Sequence, residues 1–152
     1  MADKPTKRLI HYLKGAWYYQ KKMDKLADEI KKLRSQAEKS TTSFQDVPVF
    51  GNFADHRQDM IADMVDKQQE YRKALQECNK RLAEIQLLID NVEDYHQRIV
   101  LEFRYIYFDE WLDIAMRLNY SIQNVLKIHG KALVCLLGIH DKMVKNGRGL
   151  FK

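Results

Sequence analysis

Proline occurs only at positions 5 and 48, and there are just 6 glycines in 152 residues. A proline inside a helix removes an amide donor and clashes with the preceding turn. Positions 6–47 and 49–152 are free of it and can therefore form long helices. Two runs use that freedom. Leu9, Tyr12, Ala16, Tyr19, Met23, Leu26, Ile30, Leu33 and Ala37 follow a 3-4 spacing without a break. This heptad seam predicts one helix over 6–39, roughly 50 Å long. Thr6 is placed to cap it, and Leu13 and Trp17 widen its apolar stripe. A second seam runs through Ile61, Met64, Gln68, Tyr71, Leu75, Cys78, Leu82, Ile85, Ile89 and Val92. Asp55 is its natural N-cap, and the helix is expected to reach about Tyr95.

Between the seams, Ser40–Ala54 is rich in Ser, Thr, Asn, Gly and Pro and reads as a loop. Its Val47, Val49, Phe50 and Phe53 argue that it packs back onto the helices. Charge is unevenly spread. Residues 1–39 carry 11 Lys/Arg against 5 Asp/Glu, residues 40–96 carry 6 against 11, and residues 97–152 carry 9 against 5. A basic arm beside an acidic one favours an antiparallel hairpin over 1–95, with the basic third segment left to meet a polyanion. The alternative is that each seam zips to another chain as a homo-oligomer, for which Gln68 in a core-type position would set the register. Trp17, Tyr18 and Tyr19 are assigned to packing on the heptad helix.

From Glu110 onward the long seam gives way to two short helices and a tight turn. Ile114, Leu118, Tyr120, Val125 and Ile128 fall where a helix-turn-helix buries its internal contacts. Ala115 sits where the two helices cross too closely for a larger side chain. Asn119 holds the turn, a position that needs positive φ, and Ser121 caps the second helix. Asp109 or Glu110 begins the first helix, and Trp111 anchors it to the preceding one, near Tyr95–Ile106, through Ile99, Phe103 and Ile106. The fold class expected is all-α: a long coiled-coil-like antiparallel hairpin (1–95), a helix-turn-helix (96–145) and a flexible tail (146–152).

In such a motif the second helix enters the major groove and its N-terminal residues meet base edges. The outward positions are Ser121, Ile122, Gln123, Leu126, Lys127, Gly130 and Lys131, with Asn124 at the edge. Gln123 suits adenine, and Lys127 suits guanine or a phosphate. Ser121 and Lys131 suit the backbone, while Arg98 and Arg104 on the preceding helix reach phosphates or solvent. Ile122, Leu126 and Gly130 lack a polar reader; Ile122 suits a thymine methyl, Leu126 fits DNA less well, and such an apolar outward stripe is alternatively a protein contact.

The run Arg98–Ile106, followed by Trp111–Ala115, Leu118–Ser121, Val125, His129 and Ala132-Leu133, resembles small phage transcriptional regulators of Gram-positive bacteria, the RinA/ArpU-like group. These carry a helix-turn-helix similar to region 4 of sigma factors. The resemblance implies an activator of phage late genes that binds promoter double-stranded DNA and touches RNA polymerase. Ile122 and Leu126 depart from the polar or basic residues usual at those positions.

No catalytic constellation emerges. His11, His56, His96, His129 and His140 lack metal-ligand spacing, Cys78 and Cys135 suit buried thiols, and no phosphate-binding glycine loop occurs. His129 is expected as a phosphate contact or a solvated residue. No cofactor, metal or enzymatic role is expected. The longest apolar run, Ala132–Leu137, is too short to span a bilayer, so the expectation is a soluble protein of the bacterial cytoplasm. Two other readings compete. One is a phage small terminase subunit, although that family places its DNA-binding motif at the other end. The other is an interaction module with weak DNA affinity.

Overall fold

The computed structural model describes residues 4–42 and 52–148, with side chains for 4–39 and 55–148. The regular structure of these residues is entirely helical: α1 (Lys4–Leu13), α2 (Gly15–Thr42), α3 (Asn52–Asp90), α4 (Tyr95–Tyr105), α5 (Trp111–Leu118) and α6 (Ile122–Lys145). The chain divides into two compact units, one made of residues 1–18 and 78–152, the other of residues 19–77.

The first heptad seam is buried or half-buried at every one of its positions, with Leu9, Tyr12, Ala16, Met23 and Leu26 deepest. It is nevertheless not one helix. α1 and α2 are separated at Lys14, and α1 has begun by Lys4, so Thr6 lies inside the first turn rather than ahead of it. Trp17 and Tyr18 stand at the edge of the packing, partly exposed, with their rings edge to face 5.2 Å apart.

Arg81 of α3 occupies the break. Its guanidinium donates to the Tyr12 carbonyl at 3.1 Å and lies 4.3 Å from the centre of the Tyr12 ring. Such charge-assisted bonds are stronger than neutral ones. The Tyr12 hydroxyl donates to the Glu84 carboxylate, and burial first, then that contact, pushes the phenol well above its ordinary pKa. A Cβ at Gly15 would meet the end of the Arg81 side chain, which would have to swing off the Tyr12 carbonyl to make room. One turn on, the Cys78 thiol is buried and donates to the Ala16 carbonyl at 3.6 Å.

The second seam holds at most of its positions. Met64, Gln68, Tyr71, Cys78, Leu82, Ile85, Ile89 and Val92 are buried or half-buried as the pattern requires. At Met60 and Ala74 the buried residue lies one position before the expected one. Ile61 and Leu75 are instead exposed, at 45% and 39%. In the unit of residues 19–77, Lys67 reaches Glu29 of α2 at 2.9 Å, which raises the lysine pKa and lowers that of the carboxyl. α3 has begun by Asn52, so Asp55 lies in its first turn, where a carboxylate still complements the helix dipole. The helices thus enter both ends of the predicted loop. The packing of Val47, Val49, Phe50 and Phe53 falls outside the described side chains.

α3 stops at Asp90, short of Tyr95, and the chain turns so that Asp94 caps α4, its carboxylate accepting from the Gln97 amide at 3.0 Å. α6 packs on α1, α4 and α5. It is also the one described helix whose length and apolar content would let it cross a membrane. Its buried residues, Val125, His129, Ala132, Leu133, Leu136 and His140, lie at helical spacing on one face. Residues 146–148 close α6, with Gly147 at φ 76° and the Arg148 amide donating to the Met143 carbonyl at 2.7 Å; the rest of the expected tail, 149–152, lies outside the described residues.

Gly15→Ala should destabilise the protein by about 1 kcal/mol, since loss of the Arg81–Tyr12 bond outweighs the better helix propensity of alanine. In an Arg81→Ala background the same substitution should be neutral or stabilising. Urea unfolding of the four proteins measures this coupling.

Candidate functional site

α5 and α6 are joined by a turn built from local chemistry. Asn119 adopts φ 57° and ψ 43°, the left-handed conformation that asparagine tolerates best after glycine. The Tyr120 amide donates to the Ala115 carbonyl at 2.9 Å and the Asn119 amide to the Met116 carbonyl at 3.3 Å. These two bonds satisfy carbonyls that the end of α5 would leave open. Ser121 then starts α6, its hydroxyl accepting from the Asn124 amide at 3.1 Å. Ile114, Ala115 and Val125 are buried together with Val100 of α4, and Phe103, Trp111, Leu118, Tyr120 and Ile128 pack around them.

His129 differs from expectation. It is neither solvated nor turned outward but 9% exposed, facing into the core. Its Nε2 shares a 2.7 Å hydrogen bond with the Tyr105 hydroxyl, and its ring meets Trp111 edge to face at 4.6 Å. Burial first, then the positive charges of Arg104 and Lys14, hold its pKa down at about 4. Burial pushes the Tyr105 phenol up to about 12, so both partners are uncharged at neutral pH. The sequence pattern counted His129 as polar. Only the proximity of Tyr105, 24 residues away, explains its burial.

The seven residues singled out from sequence fall into two groups. Ser121, Gln123, Asn124, Lys127 and Lys131 are exposed along the first turns of α6. Arg98 and Arg104 are spent within the fold. Arg98 donates to the Val92 carbonyl at 3.1 Å, tying α4 to the end of α3. Arg104 donates to the Asp109 carbonyl at 3.0 Å, lies 3.5 Å from the Glu110 carboxylate and sits 4.4 Å from the centre of the Trp111 ring. Its side chain is 19% exposed. It fastens the connection between α4 and α5, which passes through Phe108 at φ 61°, a costly conformation for a bulky residue.

An open groove lies beside α6, lined by Asp94, His96, Gln97, Tyr120, Asn124, Ile128 and Lys131. The Tyr120 hydroxyl and His96 Nδ1 are 2.9 Å apart across it. The need of a packed tyrosine for a hydroxyl partner was the available clue. Around the polar residues of α6, Ile122 and Leu126 remain 39% and 44% exposed, and Leu112 and Met116 of α5 are 57% and 71% exposed. Among the described residues, no group of three or more His, Cys, Asp or Glu could hold a metal ion.

A family model described as a protein of unknown function, DUF1492, matches residues 38–136. That is well over half of the chain, which therefore belongs to the DUF1492 family. No curated protein and no solved structure matches it.

Two outcomes follow from the geometry. Asn119→Ala should cost about 1 kcal/mol, the penalty of a Cβ in the left-handed region, while Asn119→Gly should be tolerated. The pKa of His129 is depressed in the folded state, so the unfolded chain takes up its proton first as pH falls. Stability should therefore drop between pH about 6.5 and about 4, by up to about 3 kcal/mol, with no further loss from this group below that. Urea unfolding across this range should show the slope in the wild type and a shallower one in His129→Gln.

Proposed function

We propose that this DUF1492 family member is a sequence-specific DNA-binding transcriptional regulator, with α5 and α6 acting as a helix-turn-helix carried on a helical hairpin. The observation that carries the reading is the combination at the start of α6. A left-handed asparagine turn, a serine cap and a buried Ala115 crossing hold that end in place. Gln123, Asn124, Lys127 and Lys131 are exposed just beyond it. Donors in this order on a recognition helix suit base edges first and phosphates next. Gln123 is the candidate reader of adenine, and Lys127 that of guanine or a phosphate.

The target proposed from the resemblance to RinA/ArpU-like regulators is promoter DNA of phage late genes in the cytoplasm of a bacterial host. Contact with RNA polymerase is part of the same proposal, and the exposed Ile122 and Leu126 favour it. An apolar protein contact by itself is the second reading that those two side chains support. Salt dependence separates the two, because displacement of counterions from DNA makes affinity fall log-linearly with salt.

Selection from a random duplex pool should enrich one sequence, and failure to enrich any would remove the specific-regulator reading. On the enriched duplex, Lys127→Ala should weaken binding to all sequences and lower the salt slope by about 1. Gln123→Ala should instead relax preference at one base pair, at a cost of about 1–3 kcal/mol on the preferred site. Fluorescence anisotropy titrations at several salt concentrations measure both.

A further inference from the structure

A cavity of about 80 Å³ opens beside the break between α1 and α2. Most of its wall is apolar, with Leu13 and Trp17 from the two helices and Tyr105 and Phe108 from the end of α4. A void of about 150 Å³ is needed for benzene, so this one limits an occupant to a few heavy atoms. Phe108 lines it from a backbone held at φ 61°. Costly conformations of bulky residues gather where ligands are clamped.

The charge of the wall is positive on balance, with Lys14 and Arg104 against Glu110. Both cations lie near enough to His129 to lower its pKa, so their charges converge on the same corner of the core. Glu110 offsets them little, since its side chain is 76% exposed and lies 3.5 Å from Arg104. Lys14 is half-buried, and its ammonium makes no hydrogen bond or ion pair among the described residues. Arg104 uses a single nitrogen, Nη1, for both the Asp109 carbonyl and the Glu110 carboxylate, which leaves Nε and Nη2 as donors. A cation drawn out of water without a partner is costly, and a bound anion removes that cost.

We infer that the cavity binds a short-chain monocarboxylate, in the size range of acetate to butyrate. The carboxylate meets the Lys14 ammonium, and the hydrocarbon end lies among Leu13, Trp17 and Phe108. The small excess of positive charge suits a monoanion, because Glu110 repels a second negative charge. The apolar wall favours a ligand with a hydrocarbon body over a bare inorganic ion. Arg104 is the second donor. Tyr105 offers its ring alone, since its hydroxyl is committed to His129.

Backbone amide shifts of the full chain, followed by NMR while sodium butyrate replaces sodium chloride at constant ionic strength and pH 7, test this. Shifts at Lys14, Trp17 and Phe108 should saturate together, with a dissociation constant of about 1–10 mM for so small a ligand. Each methylene added from acetate to propionate to butyrate should tighten binding by about fourfold, as burial of a hydrocarbon group requires. Lys14→Met keeps the apolar stem and removes the charge, and it should weaken butyrate binding by at least about tenfold. The acetate-to-butyrate series is measured on the wild type, so it does not depend on how that variant folds. Absence of saturable shifts at these three residues would overturn the proposal. Equal affinity for acetate and butyrate would do the same, as would undiminished binding in a folded Lys14→Met.

Discussion

His129 and Val125, one turn apart on α6, hold the C-terminal half of the protein together. Val125 closes against Val100, Ile114 and Ala115, while His129 fills the space between Tyr105 and Trp111. Complete burial of an aliphatic side chain of this size contributes about 1.5–3 kcal/mol. The histidine contributes only while it stays neutral and bonded. Every other feature of the turn presupposes this seating. Ala115 must be small because α6 crosses there, and Asn119 must be left-handed because the chain has to reverse within so few residues. Ser121 can cap α6 only where that reversal places it. The exposed start of α6 is consequently presented by a fixed core.

That exposed surface is modest for a DNA reader. Lys127 and Lys131 are its cations, and Arg98 and Arg104 are engaged inside the fold. Few phosphate contacts mean a shallow electrostatic contribution. Apolar contacts at the exposed Ile122 and Leu126 would add affinity from another protein. The demand for help from a partner comes from the same residues that suggest the DNA reading.

The sequence displayed some of this clearly and hid the rest for identifiable reasons. Ala115, Asn119, Ser121 and Val125 were legible because their roles are set by backbone geometry within a few residues. The break at Lys14 was not, since it depends on Arg81 arriving from a distant part of α3. The seam of α3 was misplaced at Ile61 and Leu75 because apolar neighbours such as Met60-Ile61 and Ala74-Leu75 satisfy two adjacent stripes equally well. Pairing with the rest of the fold decides between them. Arg104 looked free for the same reason that His129 looked solvated. A periodic pattern records polarity but not whether a carbonyl, a ring or a hydroxyl waits in the interior.

Mapping the surface that meets DNA addresses the central claim most directly. Backbone amide shifts of the full chain, followed by NMR during titration with a duplex enriched by selection, would locate it. Docking through α6 predicts that the largest changes fall within residues 121–131, with little movement at the inward-facing Ala132, Leu133 and Leu136. Changes concentrated in α2 or α3, with residues 121–131 unmoved, would contradict it.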